Sequence, residues 1–340
     1  MVQNPRRAIS STSARKQEEA PKGYAIDPTA GKMLRFQESL PRLPVPPLSS
    51  TIAKYLETVQ PHLTPAEFAK TKESANAFEK SALGQELQKR LQSRREEPGM
   101  KNWLADWWND AAYMGYRDPV VVYVSYFYVH LADKKIRDPA LRAATLIKAL
   151  LPFRALTESG ELEPEKTKAG PLCMASYKWL FNSSRYPVKP SDTARKFDAA
   201  KNNHVVFVRK NKFFEVDLMP GGRELSLSEI EKQVNEIIRM AGEAKDEFPV
   251  GALTSENRDI WADARDHLVK SPLNQASLER IESAIVVICL DDTKPVTRED
   301  ISWACWTGDG RNRFYDKHQC ECIIRVLPMK QKRGIIPLVI

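Results

Sequence analysis

Four prolines fall within seven residues, at Pro41, Pro44, Pro46 and Pro47. Each fixes φ at about −65° and removes a backbone donor, so the chain from Leu40 to Leu48 must run extended. Leu40, Leu43, Val45 and Leu48 are interleaved with the prolines, which suits a strap laid across an apolar surface. Composition alone favours a proline-rich linker or a ligand for an SH3-type groove. The continuation favours the strap. Ser49, Ser50 and Thr51 are N-cap residue types, and Ile52, Tyr55, Leu56 and Val59 follow at helical spacing.

The 340 residues suffice for one large or two ordinary domains, and 42% hydrophobic content supports a sizeable core. No run of eighteen apolar residues offers a membrane span. The five cysteines, Cys173, Cys289, Cys305, Cys320 and Cys322, are few, odd in number and scattered, as in a reduced intracellular protein. A net charge of +8 invites a nucleic-acid reading, but its distribution argues against one. Residues 1–16 carry +4 and residues 311–340 carry +5, so the body between them sums to −1. A groove for phosphates needs its surplus inside the folded part. The basic, serine-rich start is of the kind found in organelle transit peptides, but Pro5 interrupts it and no apolar face is clear, so a disordered tail is expected, with a mitochondrial address as the alternative.

The pattern alternates helices with strands. Thr64-Pro65-Ala66-Glu67 is a capping box that opens a long polar helix to about Arg94, ended by Glu96-Glu97-Pro98-Gly99. Trp103 to Tyr113 reads as a helix and Val120 to Val124 as a buried strand. Asp138-Pro139 starts a helix through Leu141, Ala144, Leu146, Ile147, Leu150 and Leu151. His204–Val208 and Phe213–Leu218 form a hairpin around residues 209–212. Ser228 with Glu231 opens an amphipathic helix, and Ser255–Leu268 and Asn274–Ser283 are further helices. Ala284–Leu290 is a strand, and Thr297 with Asp300 caps a helix through Ile301, Trp303 and Cys305. The class is α/β, a mixed sheet flanked by helices.

On this frame lie blocks that resemble one family. The strap and helix start, Leu40 to Tyr55, resemble the N-terminal signature of the choline/carnitine acyltransferases. Trp103-Leu104-Ala105-Asp106-Trp107-Trp108 through Tyr113, then Arg117-Asp118-Pro119-Val120, resemble its tryptophan-rich block. Tyr177–Asn182 with Arg185, and Pro249-Val250-Gly251 with Leu253-Thr254, Arg258 and Trp261, resemble two more. Arg313-Phe314-Tyr315-Asp316-Lys317 looks like the start of a second signature. Residues 116–128 are most similar to the family's carnitine acetyltransferases of fungi. The resemblance implies a coenzyme A-dependent acyltransferase-like fold of two similar α/β domains facing each other across a tunnel. It implies acyl, here acetyl, transfer between coenzyme A and carnitine, with acyl-CoA as co-substrate and no covalently bound cofactor. A monomer is expected, with no nucleic-acid partner, in the cytoplasm or mitochondrion.

In that reaction an alcohol must be activated by an adjacent base, which the family supplies as a histidine in a Glu-His pair. None of His62, His130, His204, His267 or His318 stands in that context. His318 lies well upstream of where the base belongs, and surface or core roles suit the others. By the resemblance, Tyr113 matches a tyrosine that helps hold the carnitine carboxylate, and Trp108 a tryptophan lining the same pocket. From spacing alone both read as core aromatics of one helix. The family's coenzyme A-gripping basic residues, Ser-Thr-Ser stretch and carboxylate-binding arginine have no match here. Cys320 and Cys322 supply two ligands where structural zinc wants four. Lys330-Gln331-Lys332-Arg333 reads as a solvated basic cluster, and Gly308-Asp309-Gly310 as a turn.

The expected organisation is a disordered tail over 1–38, the strap and leading helices over 39–95, the first acyltransferase domain over 96–319, and a non-family tail over 320–340. The tail shows no strand or helix period, and its apolar end, residues 335–340, reads as an exposed liability. Departure from the family in mid-motif implies a shifted reading frame or a retained intron. Transcript sequence across the Gln319 and Cys320 codons tests this expectation, which an uninterrupted message encoding the same tail refutes. A chain cut before the histidine is expected to be inactive, a non-catalytic isoform acting as a binding module being the alternative.

Overall fold

A computed structural model of the chain describes residues 19–119, 128–130, 135–243, 248–292, 294, 297–307, 323–326 and 336–339. In chain order the helices are α1 (Gly31–Leu34), α2 (Leu48–Val59), α3 (Pro65–Lys80), α4 (Ala82–Arg95), α5 (Ala105–Asn109), α6 (Pro139–Glu158), α7 (Leu227–Glu243), α8 (Arg258–Leu268), α9 (Pro272–Ser283) and α10 (Arg298–Thr307). The strands are β1 (Tyr128–His130), β2 (Lys166–Thr167), β3 (Gly170–Pro171), β4 (Ser183–Tyr186), β5 (Thr193–Lys196), β6 (His204–Arg209), β7 (Lys212–Asp217), β8 (Val287–Leu290), β9 (Ile323–Val326) and β10 (Ile336–Val339).

The chain divides into two compact units, one of residues 1–40 with 160–175, the other of 41–159 with 176–340. The sequence boundaries at 95/96 and 319/320 fall inside the second. In the smaller unit, residues 19–38 are not the disordered tail that composition suggests. They carry α1 and a 3₁₀ turn at Gln37–Ser39, bury Met33 and Phe36, and join the 160–175 segment. The Met33 amide donates to the Gly160 carbonyl (2.7 Å), the Met174 amide to Gln37 Oε1 (3.1 Å), and Arg35 pairs with Glu163. Local charge pairing and two large apolar side chains overcome a polar composition.

The larger unit opens with the strap, which is extended as expected. Its carbonyls have no ladder partner, and side chains take them instead: Arg95 Nε donates to Leu43 (3.2 Å), Trp103 Nε1 to Pro44 (3.3 Å) and Gln88 Nε2 to Pro46 (3.1 Å). The following helix begins at Leu48 behind Pro47, so Ser49–Thr51 lie in its first turn and do not cap it. The capping box at Thr64 and Glu67 forms on both sides. The expected single polar helix is two, α3 and α4. Ser81 takes ψ 154°, its hydroxyl donates to the Phe78 carbonyl (2.7 Å) and accepts from the Gly84 amide (3.0 Å), closing one helix and capping the next.

The larger sheet has the order β1-β10-β9-β8-β6-β7 and is mixed: β8 runs parallel to β6 and β9, the other pairs antiparallel. Its continuous apolar runs have a reason, because both faces are covered. Val205 and Phe207 of β6 with Ile288 and Leu290 of β8 face a core containing Ala140, Ala143, Ala144, Ile147 and Leu151 of α6 and Ile230, Val234 and Ile237 of α7. The alternate residues Val206, Val208, Val287 and Cys289 form a second core with Leu278 and Ile281 of α9. Side chains that alternate across the strands thus fill two cores from one run. Lys210 and Asn211, both at positive φ, make the two-residue hairpin turn between β6 and β7.

Several element starts shift. The box that opens α7 is Ser226 with Glu229, not Ser228 with Glu231: the Ser226 amide donates to Glu229 Oε2 (2.8 Å). Its carboxyl is held well below the usual range, chiefly by Arg223 and then by Ser226. Asn257 caps α8 after a 3₁₀ turn at Val250–Ser255, so that helix starts later than Ser255. The Asp138 and Thr297 starts hold. The tail also differs: 323–326 and 336–339 are strands, β9 pairing with β8 and β10 inserting between β9 and β1. Four-residue runs are too short to display a period, and sheet pairing supplies what the local pattern lacks. The expected strand at Val120–Val124 lies outside the described residues, as do Cys320, Cys322 and the 308–310 and 330–333 clusters.

Candidate functional site

The tryptophan block is not a plain helix. Asn102 Oδ1 accepts from the amides of Leu104 (3.0 Å) and Ala105 (3.1 Å), which starts α5. After Asn109 the backbone widens into a π-turn over Asp110–Met114, closed by the Gly115 amide on the Asp110 carbonyl (2.7 Å). Such turns are rare and recur at functional sites. A Cβ at Gly115 would lie 2.9 Å from that carbonyl, so the closure needs glycine. Trp103 and Trp107 meet edge to face (6.2 Å), and the Arg94 guanidinium covers the Trp107 ring (4.6 Å). Trp108 on α5 is 56% exposed and Tyr113 on the π-turn 36% exposed, so neither is the core aromatic that helical spacing suggests.

Behind the turn lies a buried ion cluster. The Asp192 carboxylate accepts from Arg185 Nε (2.5 Å), Arg258 Nε (2.6 Å), Arg117 Nη1 (2.8 Å) and the Val188 amide (3.2 Å). The side chains of Asp192 and Arg258 are fully buried and that of Arg185 is 2% exposed. Arg117 also pairs with Asp259 (2.9 Å). Arg185 Nη2 donates to the Tyr113 carbonyl (2.7 Å), and Arg117 Nη1 to that of Met114 (3.2 Å). These groups escape a local reading. Arg117, Arg185 and Arg258 stand in blocks noted in the sequence, but nothing nearby announces that they converge on Asp192.

Three of the five histidines have described side chains. His62 is exposed on a 3₁₀ turn and His267 exposed near the end of α8. His204 is buried at the start of β6, with Nε2 2.7 Å from the Arg280 carbonyl and Nδ1 3.1 Å from Arg280 Nη2. The side chains of His130 and His318 lie outside the described residues. A groove of about 720 Å³ by the end of α6 is lined by Arg154, Glu158, Lys196 and Asp198. Its cations are engaged: Arg154 with Asn182, Asn203 and the Ala199 carbonyl, Lys196 with Glu158 (2.5 Å). Burial pulls the Arg154 guanidinium below its ordinary value. No group of three or more His, Cys, Asp or Glu suited to a metal occurs among the described residues. There, too, no helix is long and apolar enough to cross a membrane.

The model of the Choline/Carnitine o-acyltransferase family matches residues 43–324. The mitochondrial carnitine O-acetyltransferase of Saccharomyces cerevisiae is 36% identical over 292 residues, 83% of this chain and 43% of that protein. Human mitochondrial carnitine O-palmitoyltransferase 2 is 33% identical, over 84% of this chain and 47% of its own length. Choline O-acetyltransferase of Sus scrofa is 34% identical, over 83% and 46%. The chain thus spans under half the length of these relatives, whose names differ in both acyl group and acceptor. The matched stretch takes in most of the strap, the tryptophan turn and the sheet strands β1, β6, β7 and β8, and the chain belongs to the choline/carnitine acyltransferase family.

Proposed function

We propose that the chain supplies the acceptor-binding wall of a carnitine O-acyltransferase of the acetyl type, working with carnitine and acyl-CoA. The observation that carries this reading is the exposed pair of Trp108, on α5, and Tyr113, on the following π-turn whose backbone is clamped from behind. An aromatic with a hydroxyl tip suits a ligand that joins a quaternary ammonium to a carboxylate. The phenol donates to the carboxylate, and the indole face attracts the cation. Clamping holds the Tyr113 backbone in place before acceptor binding, so less freedom is lost on binding.

The 340 residues by themselves carry out no turnover. Transfer needs a base on the carnitine hydroxyl, and loss of a general base costs about 10²–10⁴ in rate. No histidine of the sequence follows a glutamate, and His204, the buried one among the described side chains, is committed to Arg280. The strap and leading helices over 39–95 and the domain over 96–319 act here as the binding half of a cleft. The setting is intracellular and the chain a monomer. Mitochondrial proteins among the relatives support an organellar address.

Calorimetric titration of the purified chain with L-carnitine tests the binding claim. Saturable binding that weakens in Tyr113→Phe and Trp108→Ala is expected; binding indifferent to both substitutions refutes it. Exchange between acetyl-CoA and carnitine should be absent, and measurable turnover by the purified chain overturns the second claim.

A further inference from the structure

We infer that Asp192 is a positioning residue for the Tyr113 turn, an inference that rests on reading Tyr113 as an acceptor contact. A helical segment leaves its last carbonyls without partners. Here they are taken from one side. The Tyr113 carbonyl accepts from Arg185 Nη2 (2.7 Å), and the Met114 carbonyl from Arg117 Nη1 (3.2 Å) and from the backbone amide of Asp192 (3.0 Å). At the other end of the turn, Ser191 Oγ donates to Asp110 Oδ1 (2.6 Å). Residues 185–192 therefore grip both ends of the π-turn.

Asp192 makes that grip possible. Arg185 and Arg258, with Arg117 beside them, bring like charges together in a site shielded from water. Such a group is held only when each charge is paired and hydrogen-bonded. The two oxygens of Asp192 receive one donor from each arginine; they hold Arg185 by Nε so that its Nη2 remains for the Tyr113 carbonyl, and they share Arg117 Nη1 with the Met114 carbonyl. Remove the charge and the guanidiniums repel, lose their common anchor and release the carbonyls. Tyr113 then shifts, although Asp192 itself is fully buried and makes its contacts to backbone and arginines.

The test uses Asp192→Asn, which keeps the shape, and Arg185→Lys, which keeps the charge but lacks the fork needed to reach Asp192 and Tyr113 together. The second variant carries the test if the first fails to fold. Hydrogen exchange at the Gly115 and Asp192 amides reports the turn, and L-carnitine titration reports its use. Because charge-assisted hydrogen bonds are lost, exchange at both amides should quicken about tenfold or more. Carnitine binding should weaken by a similar factor. In a Tyr113→Phe background the same substitutions should add nothing further to the loss of carnitine binding. Glu282→Gln, in a separate buried cluster, should leave exchange at the turn and carnitine binding unchanged. Unchanged exchange in both variants overturns the role of Asp192, as does an equal loss of binding with and without the Tyr113 hydroxyl. Failure of the unaltered chain to bind carnitine overturns the acceptor-wall reading instead, leaving the exchange result to stand or fall by itself.

Discussion

Glu282 on α9 offers a sharp test of how buried charge is accommodated beside the sheet. Its carboxylate is 4% exposed. One oxygen accepts from Arg265 Nε (3.1 Å) and Nη2 (2.7 Å), the other from the Tyr186 hydroxyl. The Tyr186 ring in turn lies under two guanidiniums, of Arg195 (4.3 Å) and Arg265 (4.5 Å). In Glu282→Gln the amide oxygen can still face Arg265, while its NH₂ replaces an acceptor and forces the phenol to turn and accept. Shape is kept and charge assistance lost, which should cost about 1–2 kcal/mol. Glu282→Ala removes the anion from a buried pair and leaves Arg265 without its counter-charge, at a cost of about 3–5 kcal/mol. Urea unfolding followed by tryptophan fluorescence and circular dichroism measures both. An alanine variant within about 0.5 kcal/mol of the parent would falsify the reasoning, since it would mean that water or rearrangement replaces the carboxylate freely.

The same cluster predicts a pH effect. Burial above all, then the charge and hydrogen bond of Glu282, push the Tyr186 phenol well above the ordinary tyrosine value. The folded state keeps this proton while an unfolded phenol loses it near pH 10, so the contribution is full below about pH 10 and is lost as pH rises further. Thermal melts from pH 8 to 11 should fall less steeply above pH 10 in Tyr186→Phe than in the parent; identical slopes exclude the effect. Gly84→Ala should destabilise, against the usual gain of about 1 kcal/mol in a helix, because its Cβ would lie 2.3 Å from the Phe78 carbonyl. A raised melting temperature in that variant would show that the α3–α4 junction yields.

Elements whose start depends on groups three residues apart are readable in the chain, as at Thr64 with Glu67 and Thr297 with Asp300. Where two such pairs overlap, the choice passes to the core. Ser226 with Glu229 and Ser228 with Glu231 are chemically equivalent, and the helix that forms is the one that begins at Leu227 and buries Ile230, Val234, Ile237 and Ala241. Ser81 shows the opposite failure. Neither glycine nor proline marks residues 80–82, so one polar helix reads through, yet a single hydroxyl closes α3 and caps α4. Strands β9 and β10 are legible only from the sheet, because each is four residues long and its register is set by neighbours distant in sequence.

The site divides along the same line. Trp108 and Tyr113 are visible because aromatic blocks have a recognisable wording, but spacing alone places them in a core they do not enter. Only Tyr113 lies on the π-turn, and the arginines that hold the carbonyls of that turn converge on a buried carboxylate 75 residues away from Arg117 and 66 from Arg258. An arginine's sequence neighbours do not say whether it points to water or to a carboxylate. Both faces of the sheet are closed by helices, and His204 and Cys289 are spent inside it. Tyr113 stands instead at the surface, on a turn that the buried Asp192 cluster holds from behind, and contact residues are commonly carried on such scaffold-held turns.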